Sequence, residues 1–61
     1  MKYSEFHRIV RRNGWAHIRT RGSHYIYEKG DQRYSIANHG AKEMPEGTRL
    51  RAIKGMNLEL R

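Results

Sequence analysis

Cysteine is absent from this 61-residue sequence, which excludes both a disulfide scaffold and a thiolate zinc site and leaves nothing pointing to an oxidising compartment. Long apolar runs are missing as well. Apolar residues make up 36% of the chain, and no stretch of them approaches the roughly 18 residues of a membrane span or forms a signal-peptide-like core, so a soluble cytoplasmic protein is expected. Acidic side chains are scarce, six against thirteen Lys or Arg, for a formal net charge of +7. Length removes further classes. A chain this short hides only about 60% of its unfolded surface, which excludes Rossmann, barrel and multidomain enzymes and any deep cofactor core. A single domain over residues 1–61 is expected, with no cofactor.

The positive charge is uneven. Residues 1–30 carry seven basic and two acidic side chains, and residues 31–61 carry six and four. Nine of the thirteen cations are Arg, whose planar fork matches phosphate oxygens better than the Lys ammonium does. A membrane surface would call for a basic helix with a broad apolar face, whereas these cations spread over helix, strand and loop. The plain alternative is a solvated surface, but most domains of this size lie nearer neutrality, so nucleic acid is the favoured partner.

Along the chain, Ser4 reads as an N-cap with Glu5 in the first turn, and Tyr3, Phe6, Ile9, Val10 and Asn13 fall at helical spacing before Gly14 stops the helix. Trp15–Thr20 reads as a strand in which Ala16 and Ile18 alternate with His17 and Arg19. Arg21-Gly22-Ser23 is a short turn, His24–Lys29 a second strand, Gly30-Asp31 a hairpin turn, and Arg33–Ala37 a third strand. An irregular connection through Asn38, Gly40 and Pro45 leads to a last helix from Pro45 or Glu46 to Lys54, with Leu50 and Ile53 inward and Gly55 as its stop. The expected fold is α+β, ordered α-β-β-β-α, with two helices on one face of a three-stranded antiparallel sheet and the other face open.

Four histidines are the only material for catalysis. They form no HxxxH or HExxH pattern, so no metal site is expected. His7 on the first helix and His17 on the first strand read as ordinary surface or half-buried residues. His24 differs, because it follows a tight turn beside Arg21 and backbone N–H groups, where a phosphate could be held next to an imidazole able to take or give a proton. RNA supplies its own nucleophile, the 2′-OH, so a site for cutting it needs only proton transfer and cationic stabilisation. Strand alternation puts His24 on a face with Ile26 and Glu28, and Ile26 suggests the core face. Tyr25, Tyr27 and Tyr34 read either as a base-stacking platform or, more simply, as half-core residues.

Four segments together resemble the HicA-type toxins: Lys2-Tyr3-Ser4-Glu5-Phe6 leading a helix, Asn13-Gly14-Trp15 at its end, Arg21-Gly22-Ser23-His24-Tyr25-Ile26-Tyr27, and His39-Gly40-Ala41-Lys42-Glu43-Met44 before the last helix. The resemblance covers residues 1 to about 54. It implies a fold like that of a double-stranded-RNA-binding domain and the role of ribonuclease in a bacterial type II toxin–antitoxin module. It further implies cleavage of mRNA without a metal and silencing by a HicB-type antitoxin. By that resemblance His24 matches the catalytic histidine, and Gly22 and Ser23 match the turn presenting it. Arg19, Arg21, Lys29 and Lys42 are candidate phosphate contacts, and His39 a candidate second proton-transfer group. The competing reading is a non-catalytic module for duplex RNA, weakened by the acidic Glu43 and Glu46 where such modules carry a Lys-rich cluster. A DNA-binding regulator ranks last, because Arg49, Arg51 and Lys54 line no single helix face.

Overall fold

In the computed structural model, which describes residues 1–60, the first helix, α1, spans Tyr3–Arg12 and so begins before Ser4. Ser4 is not its cap. The Tyr3 and Ser4 N–H groups donate to the carbonyls of Lys42 and Gly40, each at 3.0 Å, so the loop before the last helix satisfies donors that a side-chain cap would otherwise serve. Glu5 reaches back to accept the Lys2 N–H at 2.9 Å, as in the acidic half of a capping box. At the other end, Trp15 N–H reaches the Val10 carbonyl at 3.4 Å and Gly14 N–H reaches Arg11 at 3.0 Å. That pair is a Schellman closure, and the two apolar residues at its ends, Trp15 and Val10, both belong to the core.

Three strands follow, β1 Ala16–Arg21, β2 His24–Lys29 and β3 Gln32–Ala37, paired antiparallel in the order β1-β2-β3. Gly22, at φ +60°, is the first residue of the two-residue turn between β1 and β2, a place where a tight hairpin turn needs positive φ and glycine supplies it without steric cost. The register places Tyr25 opposite Ile36 and Tyr27 opposite Tyr34, so these four share one face. That face is the core side: Tyr27 is fully buried, Ile36 nearly so, and Tyr25 and Tyr34 pack against the cluster. Ile26 therefore points away from the core, and the half-core reading of the tyrosines holds. β1 departs from expectation too. A bulge between His17 and Arg19 shifts its register, and all six of its residues, Ala16 and Ile18 included, are exposed.

The last helix, α2, runs Glu46–Met56 and passes through Gly55 rather than stopping there. The residue after it, Asn57, adopts the left-handed conformation at φ 53°, and the Leu58 N–H returns to the Ile53 carbonyl at 3.0 Å, closing α2 in the manner of α1 with Asn in place of Gly. Ala52 and Met56 face the core and Ile53 packs beside them, whereas Leu50, expected inside, is half exposed. Both helices thus meet the sheet on its Tyr27 face around one core that includes Phe6, Val10, Trp15 and Met44. After α2 the chain turns back, burying Leu58 and placing Glu59 against Asn13, whose side chain donates to the Glu59 carbonyl at 3.0 Å and accepts its N–H at 2.8 Å. Arg61, the end of the expected domain, lies outside the described residues.

Candidate active site

His24 opens β2 immediately after the Gly22-Ser23 turn, and its side chain is exposed. Its direct partners are Arg21 on β1 and Ala37 on β3, with Arg19 opposite Ile26 two positions further. Side-chain alternation therefore puts His24, Arg21 and Arg19 together on the sheet face that no helix covers. Charge on this face is graded. At its far end Arg33 Nε donates to Glu28 Oε2 at 3.1 Å, an exposed neutralising pair, while Arg19 and Arg21 form no ion pair among the described residues. The unbalanced positive charge is thus concentrated at the His24 end, where an anionic oxygen would gain most from it.

The other side of His24 is concave. A groove of roughly 240 Å³ runs from it along β3 to α2. Its polar rim consists of His24, Ser35, Thr48 and Arg51, over a floor containing Tyr34, Ile36, Ala37 and Ala52. Thr48 was not singled out in the sequence, and Arg51 figured there only in the lowest-ranked DNA-binding reading. Their three-residue spacing puts them on one helix face, but only the packing of α2 beside β3 shows which face meets the groove.

The remaining candidates divide. Asn38 N–H donates to the Ser23 carbonyl at 2.7 Å, so His24 and His39 each leave the chain one residue from that bond, and His39 lies edge-on to Tyr3 with ring centroids 4.9 Å apart. Lys42 is exposed in the loop that caps α1 and contributes its backbone carbonyl there. Lys29 is not at the site. It ends β2 five residues from His24, about 17 Å along the strand, and its Nζ donates to the Asn13 carbonyl at 2.7 Å, an anchor for the end of α1.

Beneath the site is His7, which the sequence suggested as a surface or half-buried residue and which is in fact fully enclosed. His7 is 1% exposed, with Nε2 2.9 Å from the Ala37 carbonyl and Nδ1 2.6 Å from the Tyr27 hydroxyl. A carbonyl only accepts, so Nε2 carries the proton, and Nδ1 accepts from the Tyr27 O–H. Burial holds the His7 pKa below its ordinary value, reinforced by the charges of Arg11 and His17 and opposed by the Ala37 hydrogen bond. Burial also raises the Tyr27 pKa, so the phenol keeps the proton it donates. Because Ala37 is the β3 partner of His24, this buried pair fixes the strand against which His24 stands. The signal in the sequence was His7 lying one position from Phe6 and three from Val10, within the apolar stripe of α1.

No helix of the described residues is long and apolar enough to cross a membrane. No solved structure matches the chain closely enough to count as similar. The family described as HicA toxin of bacterial toxin-antitoxin matches residues 3–58. A protein of Pseudomonas fluorescens (strain Pf0-1) called probable mRNA interferase HicA is 37% identical over 59 residues, covering 97% of this chain and 98% of that protein. With the match running from the first residue of α1 to the buried Leu58, the chain belongs to the HicA toxin family of bacterial toxin–antitoxin systems.

Proposed function

We propose that this toxin is a ribonuclease that cuts mRNA at the His24 site without a metal and is held inactive by a HicB-type antitoxin. The observation that carries the reading is the exposed imidazole of His24 beside two guanidiniums, Arg21 and Arg19, that no carboxylate neutralises among the described residues, on an uncovered sheet face. The family and the relative's name support the class of activity. In the step proposed, the RNA 2′-OH attacks the adjacent phosphorus, forming the O2′–P bond as the P–O5′ bond breaks. A proton leaves the 2′ oxygen and one reaches the departing 5′ oxygen. His24 serves one of those transfers and His39 is the candidate for the other. Arg19 and Arg21 stabilise the charge that builds on the phosphoryl oxygens. An acidic antitoxin is drawn to the same cations, so occupying them silences the enzyme.

The test is chemical. Purified toxin should cut an all-ribose RNA to fragments ending in a 2′,3′-cyclic phosphate and a 5′-hydroxyl, and should leave the same RNA uncut where the attacking nucleotide is 2′-deoxy. Cleavage at the deoxy position, or 5′-phosphate ends, would show a different nucleophile. Tight binding with no cleavage would instead make the protein a passive RNA-binding module.

A further inference from the structure

Resting on that reading of His24, we propose that the groove between β3 and α2 is a nucleotide subsite for a single RNA strand, in which Arg51 holds a phosphate next to the one being cleaved. The face toward β1 offers cations on a flat surface; the recess beside His24 lies on the other side, so a strand crossing His24 meets this groove next. Its volume of roughly 240 Å³ falls below the about 300 Å³ at which pockets enclosing a drug-sized ligand begin, so it receives a single base with its sugar and phosphate left at the open rim, and not the breadth of a duplex. The floor is apolar and includes the half-buried Tyr34 ring, a surface against which a base can lie whatever its identity. The rim supplies the opposite chemistry. Thr48 and Arg51 stand one turn apart on α2, and no lining residue is acidic.

Arg51 is free to serve. Its Nε makes a long 3.5 Å contact to the Gly47 carbonyl one turn back, which steadies the guanidinium and leaves the terminal nitrogens of its fork for an anion. Among the described residues Arg51 belongs to no ion pair. The strand would then run from the Arg19–Arg21 surface across His24 into the groove, with phosphates gripped on both sides of the reacting one, which fixes the in-line geometry that attack by the 2′-OH requires.

The experiment measures binding of a short fluorescein-labelled single-stranded RNA across a salt series, in a His24→Ala background so that no cleavage intervenes. Arg51→Ala should weaken binding about tenfold, as expected for loss of a charge-assisted hydrogen bond, and should reduce the log–log salt slope by about 0.7, one phosphate contact on a single strand. Arg51→Lys should keep the slope and lose only part of the affinity. Lys54→Ala, which removes a cation of α2 outside the groove, is the reference. Arg51→Ala behaving like Lys54→Ala would overturn the subsite, as would an equal dependence on Arg51 for a duplex of the same sequence. Should Arg51→Ala lower the melting temperature, Arg51→Gln is read in its place. Because these readouts concern binding alone, absence of RNA cleavage by the wild type would defeat the ribonuclease reading and leave the test of the groove intact.

Discussion

Replacing Gly55 with Ala should destabilise this protein, although the residue lies within a helix. By helix propensity alone the change is favourable by about 1 kcal/mol. Packing opposes it. A β-carbon at residue 55 falls 2.7 Å from Cε2 of Tyr34, 3.1 Å from its hydroxyl and 3.2 Å from Cζ, where carbon pairs prefer about 3.5–4.0 Å. Tyr34 can yield only toward the groove, since the rest of its ring packs against the core from β3, opposite Tyr27. Forcing a methyl into such a contact costs about 1–3 kcal/mol, so the clash outweighs propensity by about 1 kcal/mol. For a domain of this size that lowers the melting temperature by about 4–8 °C. Thermal melts followed by circular dichroism read the effect, and a double-mutant cycle identifies its cause. In a Tyr34→Ala background the same Gly55→Ala substitution should raise the melting temperature, because only propensity remains. A rise in the wild-type background, or a fall in both, would refute the idea that close approach of α2 to β3 demands this glycine.

The buried His7 makes stability depend on pH. Its folded pKa is depressed below 6.5, so the unfolded chain binds the proton first, and stability is lost as pH falls through about 6.5 toward the folded value. Denaturant titrations at about pH 7.5 and about pH 5.5, a window above the carboxylate range, should show that loss in the wild type and a smaller one in His7→Phe. At the higher pH His7→Phe should itself be less stable by about 1–3 kcal/mol, because the Tyr27 hydroxyl and the Ala37 carbonyl lose their partner; equal pH dependence in both proteins would contradict the assignment. Neutralising Arg19 and Arg21 together as Gln should reduce both the rate of RNA cleavage and the affinity for the antitoxin, measured by calorimetry. Loss of one with retention of the other would place the antitoxin on a different surface.

The parts of this structure legible in the sequence were those fixed by local rules. Gly22-Ser23 and Gly30-Asp31 mark hairpins because two-residue turns need a residue tolerant of positive φ, and they set the strand register within a residue. What was not legible depends on contacts distant in sequence. Ser4 has the chemistry of a cap, but the carbonyls of Gly40 and Lys42 already hold the first N–H groups of α1. Gly55 has the composition of a helix stop, yet its role is to let Tyr34 approach. Ile26 suggested the wrong face without settling it, because a β-branched residue suits either side of a strand, whereas Tyr27 is taken into the core by its bond to His7. At the site, His24 and its turn could be picked out from spacing and resemblance together. Arg51 could not, since its relevance arises only when α2 packs along β3.

The most direct measurement of the central claim is the single-turnover cleavage rate of His24→Ala on an RNA that the wild type cuts, with RNA affinity and circular dichroism determined on the same preparation. Loss of one proton-transfer group should slow cleavage by about 10²–10⁴-fold, with binding within about threefold of wild type, since the phosphate contacts belong to arginines, and an unchanged spectrum, since His24 is exposed. Cleavage at the wild-type rate with the fold intact would contradict the account.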